Sequence, residues 1–334
     1  MAYKLDENAL CGVIGYGSWA TAIVHTLQVN RKPVWWHVRN PEVYESLTSQ
    51  GHNAKYLNDI EFDMSLINVS TDINEVVSHC DIILIAAPSA FLKEYLKDLA
   101  VPISGKFVIS ATKGIIPDDY KTVTEYIHDT FNVPYSQTGL VSGPTHAEEV
   151  SHNKLSYLTA ACTEEDNARV IRGMLETDNL KIKWSDDIYG IEYASILKNI
   201  YAIAAGLASG LGYGDNFLSV LISAAAKELT LFLNETWPFK RNTMESAYLG
   251  DLLVTSYSNF SRNRRLGQII GRGCTVKSAL NEMTMIAEGY YASDCIRHVN
   301  LNHNVRMPIA EMVYDVLYRN ANPRKRMKEL SETL

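Results

Sequence analysis

Leu10 to Ile14 (LCGVI) runs directly into Gly15 to Thr21 (GYGSWAT), and this stretch decides the fold. The apolar run reads as a buried strand, and the spacing from Ala20 to Val29 reads as a helix. Gly15, Gly17 and Ala20 lie between them in a Gly-x-Gly-x-x-Gly/Ala pattern, in the strand-to-helix context that a dinucleotide-binding turn requires. Each small residue has a physical task there. Gly15 permits the tight turn, Gly17 lets the main chain approach a pyrophosphate, and Ala20 lets the helix lie close to the strand. Ser18 and Trp19 complete the loop, and the free N–H groups of the helix start face the anion.

Outward from this point, further apolar runs recur at Val34 to Val38, Ile67 to Val69, Ile82 to Ala86, Phe107 to Ser110 and Leu140 to Ser142. Helix-like stretches such as Phe91 to Leu99 and Asp118 to Thr130 separate some of them. This alternation predicts a parallel sheet covered on both faces, a doubly wound α/β domain of Rossmann type. After the Lys181 to Trp184 run the pattern changes to long segments of helical spacing, with Asp186 and Asp187 placed to open a long helix. The expected organisation is therefore a dinucleotide-binding domain over residues 1–185 and an all-α substrate and catalytic domain over residues 186–334.

Bulk properties narrow the function. A chain of 334 residues with 46% hydrophobic and 21% charged side chains is long enough for two cores. A formal net charge of -7 argues against wholesale nucleic-acid binding, so an anion site must be local. Five scattered cysteines, with no Cys-x-x-Cys and no clustered histidines, predict reduced thiols in the cytoplasm and no metal centre. Met1 to Asn8 is polar and of mixed charge, which predicts no export signal. Ile196 to Leu211 is apolar but carries Lys198 and Asn199, so a buried helix is expected in preference to a membrane span.

An acidic residue after the second strand would hold the ribose hydroxyls of NAD. Arg39 and Asn40 stand there instead. A guanidinium accommodates a ribose phosphate and also stacks on adenine, which leaves NAD and NADP both open.

Several segments, spread over almost the whole chain, resemble the bacterial NAD(P)-dependent glycerol-3-phosphate dehydrogenase family. They are GYGSWAT at Gly15 to Thr21, ATKG at Ala111 to Gly114, SGPTHA at Ser142 to Ala147, LKNIYAIAAGLASGLGYGDN at Leu197 to Asn216, LGDLL at Leu249 to Leu253, SRNRRLG at Ser261 to Gly267 and AEG at Ala287 to Gly289. The resemblance implies hydride transfer between sn-glycerol 3-phosphate and dihydroxyacetone phosphate, supplying the backbone of phospholipids. It implies Lys198 as the base, and the apolar neighbours of Lys198 would lower its pKa toward the working range. Lys113 would contact cofactor and substrate, and Asp251 would orient the lysine or bind a hydroxyl. Ser261, Arg262 and Asn263 would contact substrate, with Arg262 also reaching cofactor. An N-cap hydroxyl, free N–H groups and a guanidinium suit a phosphate dianion. Gly143 and Thr145 match substrate positions, and Ala147, Ile286 and Glu288 match cofactor positions. The chain departs from the family pattern at Ala20, Asn58 and His146; a residue the family fills with Phe makes His146 a wall of the site rather than its base.

Two rivals stand beside this expectation. A related hydroxy-acid or sugar-acid dehydrogenase would also use Arg262, and an NAD(P)H-sensing module would not need Lys113, Lys198 and Asp251 together. The expected partner is a phosphorylated small molecule, with no nucleic acid and no membrane span. A homodimer through the helical half stays open.

Overall fold

The computed structural model describes residues 3–283 and 285–334, so Met1 and Ala2 of the polar leading stretch fall outside the described residues. Ten strands are described: β1 (Cys11–Ile14), β2 (Val34–His37), β3 (Ile67–Ser70), β4 (Ile82–Ile85), β5 (Phe107–Ser110), β6 (Ile115–Ile116), β7 (Lys121–Thr122), β8 (Thr138–Ser142), β9 (Ser156–Cys162) and β10 (Leu180–Ser185). Eight of them form one sheet in the order β10-β9-β8-β5-β4-β1-β2-β3. The six from β3 to β8 are mutually parallel, while β9 pairs antiparallel with β8 and β10 parallel with β9. The last two strands thus reverse the direction of a sheet expected to be parallel throughout.

The chain divides into two compact units. The sheet unit runs to Thr112 and resumes over Val123–Ile188, and the second unit comprises Lys113–Thr122 and Tyr189–Leu334. This corrects the expected division at 185/186 in one respect. Residues 113–122 form the β6-β7 pair, in which Ile115 stands opposite Thr122, and they group with the helices. Ile115 and Ile116 are fully buried, and β6 lies against the helix Glu288–Asn300. The expected helix over Asp118 to Thr130 consequently begins only at Val123. Asp118 and Tyr120 have φ of 68° and 54°, left-handed values that turn the strand pair and that a right-handed helix excludes.

The core of the sheet unit is built by the apolar runs themselves, with Val13, Leu27, Trp36, Leu84, Phe107 and Ile109 all buried. In the second unit the helix Ile188–Gly210 is buried along nearly its whole length, from Gly190 to Ala208. It crosses the helix Arg262–Gly271 through facing glycines. A methyl group on Gly206 would run into the Arg264 carbonyl, and one on Gly267 into the Ile203 carbonyl. No larger residue permits this approach, so glycine composition here fixes an interhelical distance.

One helix among the described residues, Asp215–Thr236, is long and apolar enough to cross a membrane by length and composition. Within the unit it buries a stripe that includes Leu218, Leu221, Ile222, Leu229 and Phe232. Its buried Glu228 accepts the N–H groups of Ile309 (2.8 Å) and Ala310 (3.0 Å), capping the helix Pro308–Tyr318, which has no side-chain cap of its own.

Candidate active site

Two lysines and one carboxylate form the centre of the helical unit. Lys198 is 4% exposed in the middle of an apolar helix, and Asp251 is 1% exposed. Asp251 stands where the π-helical turn Ser246–Gly250 passes into the helix Asp251–Tyr257, and such turns are frequent at functional sites. Lys198 Nζ pairs closely with Asp251 Oδ1, and Lys113 Nζ lies 3.6 Å from Asp251 Oδ2. One buried anion is therefore bracketed by two cations. Burial brings the Lys198 pKa down from 10.5 to about 7; the Asp251 charge opposes this fall and the Lys113 charge adds to it.

A carboxamide chain, which the sequence did not single out, holds this cluster. Asn199 Nδ2 donates to the Lys113 carbonyl (2.7 Å) and to the Ser195 carbonyl (3.1 Å). Asn263 Nδ2 donates to Asn199 Oδ1 (2.9 Å), and the Gly289 N–H donates to Asn263 Oδ1 (2.9 Å). Asn263 was expected as a substrate contact, yet its oxygen and one N–H already serve this chain. Gly289 has no room for a side chain, since a Cβ there would stand 2.5 Å from the Asn199 carbonyl oxygen. The available signal for Asn199 was a second polar residue beside Lys198 in a helix otherwise fit for a core.

Ser261 caps the helix Arg262–Gly271, its Oγ accepting the Arg264 N–H at 3.2 Å. Arg262, the first residue of that helix, is exposed. Ile286 precedes the helix Glu288–Asn300, and Glu288 is its first residue.

The remaining predicted residues belong to the sheet unit and gather at the carboxyl ends of its parallel strands. Gly15 follows β1 with φ +123°, and a Cβ there would stand 2.8 Å from the Ala86 main chain. Gly17, in contrast, has open space where a Cβ would be, at the N-cap of the helix Ser18–Val29. A turn closed to side chains on one side and open on the other, at a helix N-terminus, fits a pyrophosphate. Ser18 and Trp19 are the first two residues of that helix, and Ala20 is fully buried. Asn53, also unanticipated, steadies the loop by donating to the Tyr16 carbonyl (3.0 Å) and Thr21 Oγ1 (2.9 Å).

Arg39 follows β2 and lies 3.9 Å from the centre of the Tyr95 ring, with Glu94 Oε1 3.9 Å from its Nη1. The guanidinium is stacked by the protein itself. Gly143 follows β8 with φ +151°, and a Cβ there would meet the Tyr157 carbonyl. The Thr145 N–H donates to the Gly143 carbonyl at 2.8 Å. Ala147 opens the short helix Ala147–Ser151, and His146 is its N-cap residue. Among the described residues, no group of three or more His, Cys, Asp or Glu is placed to hold a metal ion.

Known proteins match this chain in both of its halves. Residues 11–168 match the family model described as NAD-dependent glycerol-3-phosphate dehydrogenase N-terminus, and residues 187–328 match the corresponding C-terminus. A glycerol-3-phosphate dehydrogenase [NAD(P)+] of Staphylococcus carnosus is 33% identical over 92% of this chain and 93% of its own length. One from Salinibacter ruber is 34% identical over 95% and 94%. The crystal structure of glycerol-3-phosphate dehydrogenase from Coxiella burnetii superposes with a TM-score of 0.89 at 25% identity, covering 97% of this chain and 99% of that one. With both family models matched along one chain, and relatives aligned nearly end to end, the protein belongs to the NAD-dependent glycerol-3-phosphate dehydrogenase family.

Proposed function

We propose that the protein is an NAD(P)-dependent oxidoreductase that interconverts sn-glycerol 3-phosphate and dihydroxyacetone phosphate. The observation that carries this reading is the pair of lysines on one buried carboxylate, in a chain that also holds the dinucleotide turn. A nicotinamide cofactor, when bound, supplies the hydride acceptor or donor. The chain's own residues supply the proton and the charge.

In the oxidation direction neutral Lys198 takes the hydroxyl proton of the substrate, and in the reduction direction its ammonium returns a proton to the carbonyl oxygen. A pKa of about 7 makes both forms available near neutrality. Lys113 adds a second cation where the substrate oxygen gains negative charge, and Asp251 keeps both ammonium groups aimed and compensated. Ser261, Arg262 and Asn263 are assigned to the substrate, with Arg262 as its phosphate-binding cation; Gly143 and Thr145 are assigned to its other side. Gly15, Gly17, Ser18 and Trp19 are assigned to the pyrophosphate, Arg39 to the adenosine end, and Ala147, Ile286 and Glu288 to the cofactor. We place the activity in the supply of glycerol phosphate for phospholipids in the cytoplasm, a reducing compartment suited to five free cysteines.

The direct test mixes purified protein with dihydroxyacetone phosphate and either NADH or NADPH, following the reduced-nicotinamide absorbance. Consumption of either cofactor supports the reading and identifies the preferred one. Binding of cofactor without consumption overturns the substrate assignment.

A further inference from the structure

The run Ser261 to Arg265 places cations on two faces of one helix, and the second face is left over by the chemistry above. At about 100° per residue, Asn263 points toward Asn199, whereas Arg265, Gln268 and Arg272 lie on the other side. There they line a cavity of about 290 Å³ together with Ser258, Asn259, Ser261, Arg264 and Glu282, so that Ser261 stands at the border with the residues assigned to substrate.

Three arginines line this cavity within a chain of net charge -7. Among the described residues no carboxylate pairs with Arg264, Arg265 or Arg272, although Glu282 lines the same cavity. Arg326 shows the contrasting case, with Asp315 at 2.7 Å and Glu329 at 2.6 Å. Arg264 donates through Nη1 to Asn259 Oδ1 at 3.1 Å, while its buried Nε has no acceptor among the described residues. A buried donor left without an acceptor is destabilising until a ligand atom supplies one. Clustered guanidinium groups to which no carboxylate is paired, beside hydroxyl and carboxamide groups, match the forked oxygen geometry of a phosphate.

We infer that this cavity is a second anion site, separate from the lysine cluster, which takes the phosphate group of a small phosphorylated molecule. The volume admits one phosphate with a few carbons, and the single carboxylate at Glu282 is available to a hydroxyl of the same ligand. The cavity borders on the substrate residues at Ser261, and because it shares a helix with Arg262 and Asn263, occupancy there reaches those two without touching them.

The test uses inorganic phosphate as the probe and the broadening of its ³¹P resonance by the full-length protein as the readout. Arg262→Ala removes the cation assigned to substrate phosphate, and broadening should persist in that variant. Adding Arg265→Ala and Arg272→Ala should weaken it about tenfold or more. The Arg265→Ala/Arg272→Ala double variant alone should retain the reduction of dihydroxyacetone phosphate and its melting temperature. A control pair, Arg319→Ala/Arg324→Ala, removes equal charge elsewhere and should leave the broadening unchanged. The inference is overturned if Arg262→Ala alone abolishes broadening, if the triple variant matches Arg262→Ala, or if the control pair weakens binding equally. An unchanged signal in Arg262→Ala combined with unchanged turnover would count against the assigned role of Arg262 instead, so the two failures are distinguishable.

Discussion

Lys198 is the residue proposed to carry the proton, and its environment sets a pH dependence whose sign can be stated. A buried lysine with a pKa of about 7 is neutral above that pH and protonated below it. In the oxidation direction kcat/KM should therefore rise through about pH 7 and level off, whereas in the reduction direction it should fall over the same interval. Rate profiles in both directions check this, and parallel profiles would remove Lys198 as the proton carrier. Lys198→Met should lower turnover by a factor on the order of 10²–10⁴, with cofactor affinity measured by fluorescence titration nearly unchanged. Asn199 lends itself to a different experiment. Asn199→Leu leaves the Lys113 carbonyl and Asn263 Nδ2 without their partner, and should cost about 1–3 kcal/mol of stability for each buried group stranded. If Lys113 depends on that hold, dihydroxyacetone phosphate should bind more weakly even in the folded fraction. The lysines and Asp251 were legible through family motifs, since no spacing in the sequence brings Lys113, Lys198 and Asp251 together. The role of Asn199 was not legible: a polar residue beside Lys198 marks the position, but its partners, two main-chain carbonyls and the Asn263 side chain, leave no pattern along the chain.

At the scale of elements, the strands were read more surely than the pieces joining them. Continuous apolar runs such as Ile82–Ile85 declare a strand buried on both faces. β9, with serine, tyrosine and threonine among its residues, offers no such run, and its reversed direction comes from folding back antiparallel on β8, the strand just before it, with Ser142 opposite Thr159. Two element-level predictions follow from packing and charge. Gly206→Ala would force a methyl group into the Arg264 carbonyl and drive the two helices apart, a strain of about 1–3 kcal/mol. Thermal melting should fall accordingly, and turnover should fall with it because Lys198 and Arg262 ride on the separated helices. Glu228 gives a pH signature. Burial, opposed by the N–H groups of Ile309 and Ala310, raises its pKa from 4.5 to about 7. Between those values the folded chain keeps a proton that the unfolded chain has released. The associated stability is complete below pH 4.5 and is lost as pH rises through about 7, amounting to as much as ~3 kcal/mol. Melting temperatures from pH 5 to 8 should slope downward in the parent chain, and the slope should flatten in Glu228→Gln.

The whole molecule adds a linkage that neither element nor residue displays. A ligand that binds only the folded chain stabilises it by about 2.7 kcal/mol at one hundred times its Kd. NADH and NADPH, each added alone, should therefore raise the melting temperature in proportion to affinity, which ranks the two cofactors without any turnover. Arg39→Ala should diminish the NADPH effect more than the NADH effect if the guanidinium over Tyr95 receives a ribose phosphate. The two-unit organisation was legible from the change of periodicity near Ser185, but the transfer of residues 113–122 to the helical unit was not. A strand pair this short carries too few residues for a pattern. Its place is set by Ile115 and Ile116 finding their burial among helices made later.

That displaced segment bears on how the protein is made. A ribosome delivers Lys113 before any of the helices with which it groups, and the sheet unit can close around its own strands once Ile188 has emerged. Lys113 must then wait, tethered at both ends, until the rest of the chain arrives. The cluster proposed for the proton transfer can therefore assemble only after Asp251 has emerged, and a nascent chain halted after the first unit carries the nucleotide turn and Lys113 but neither Lys198 nor Asp251.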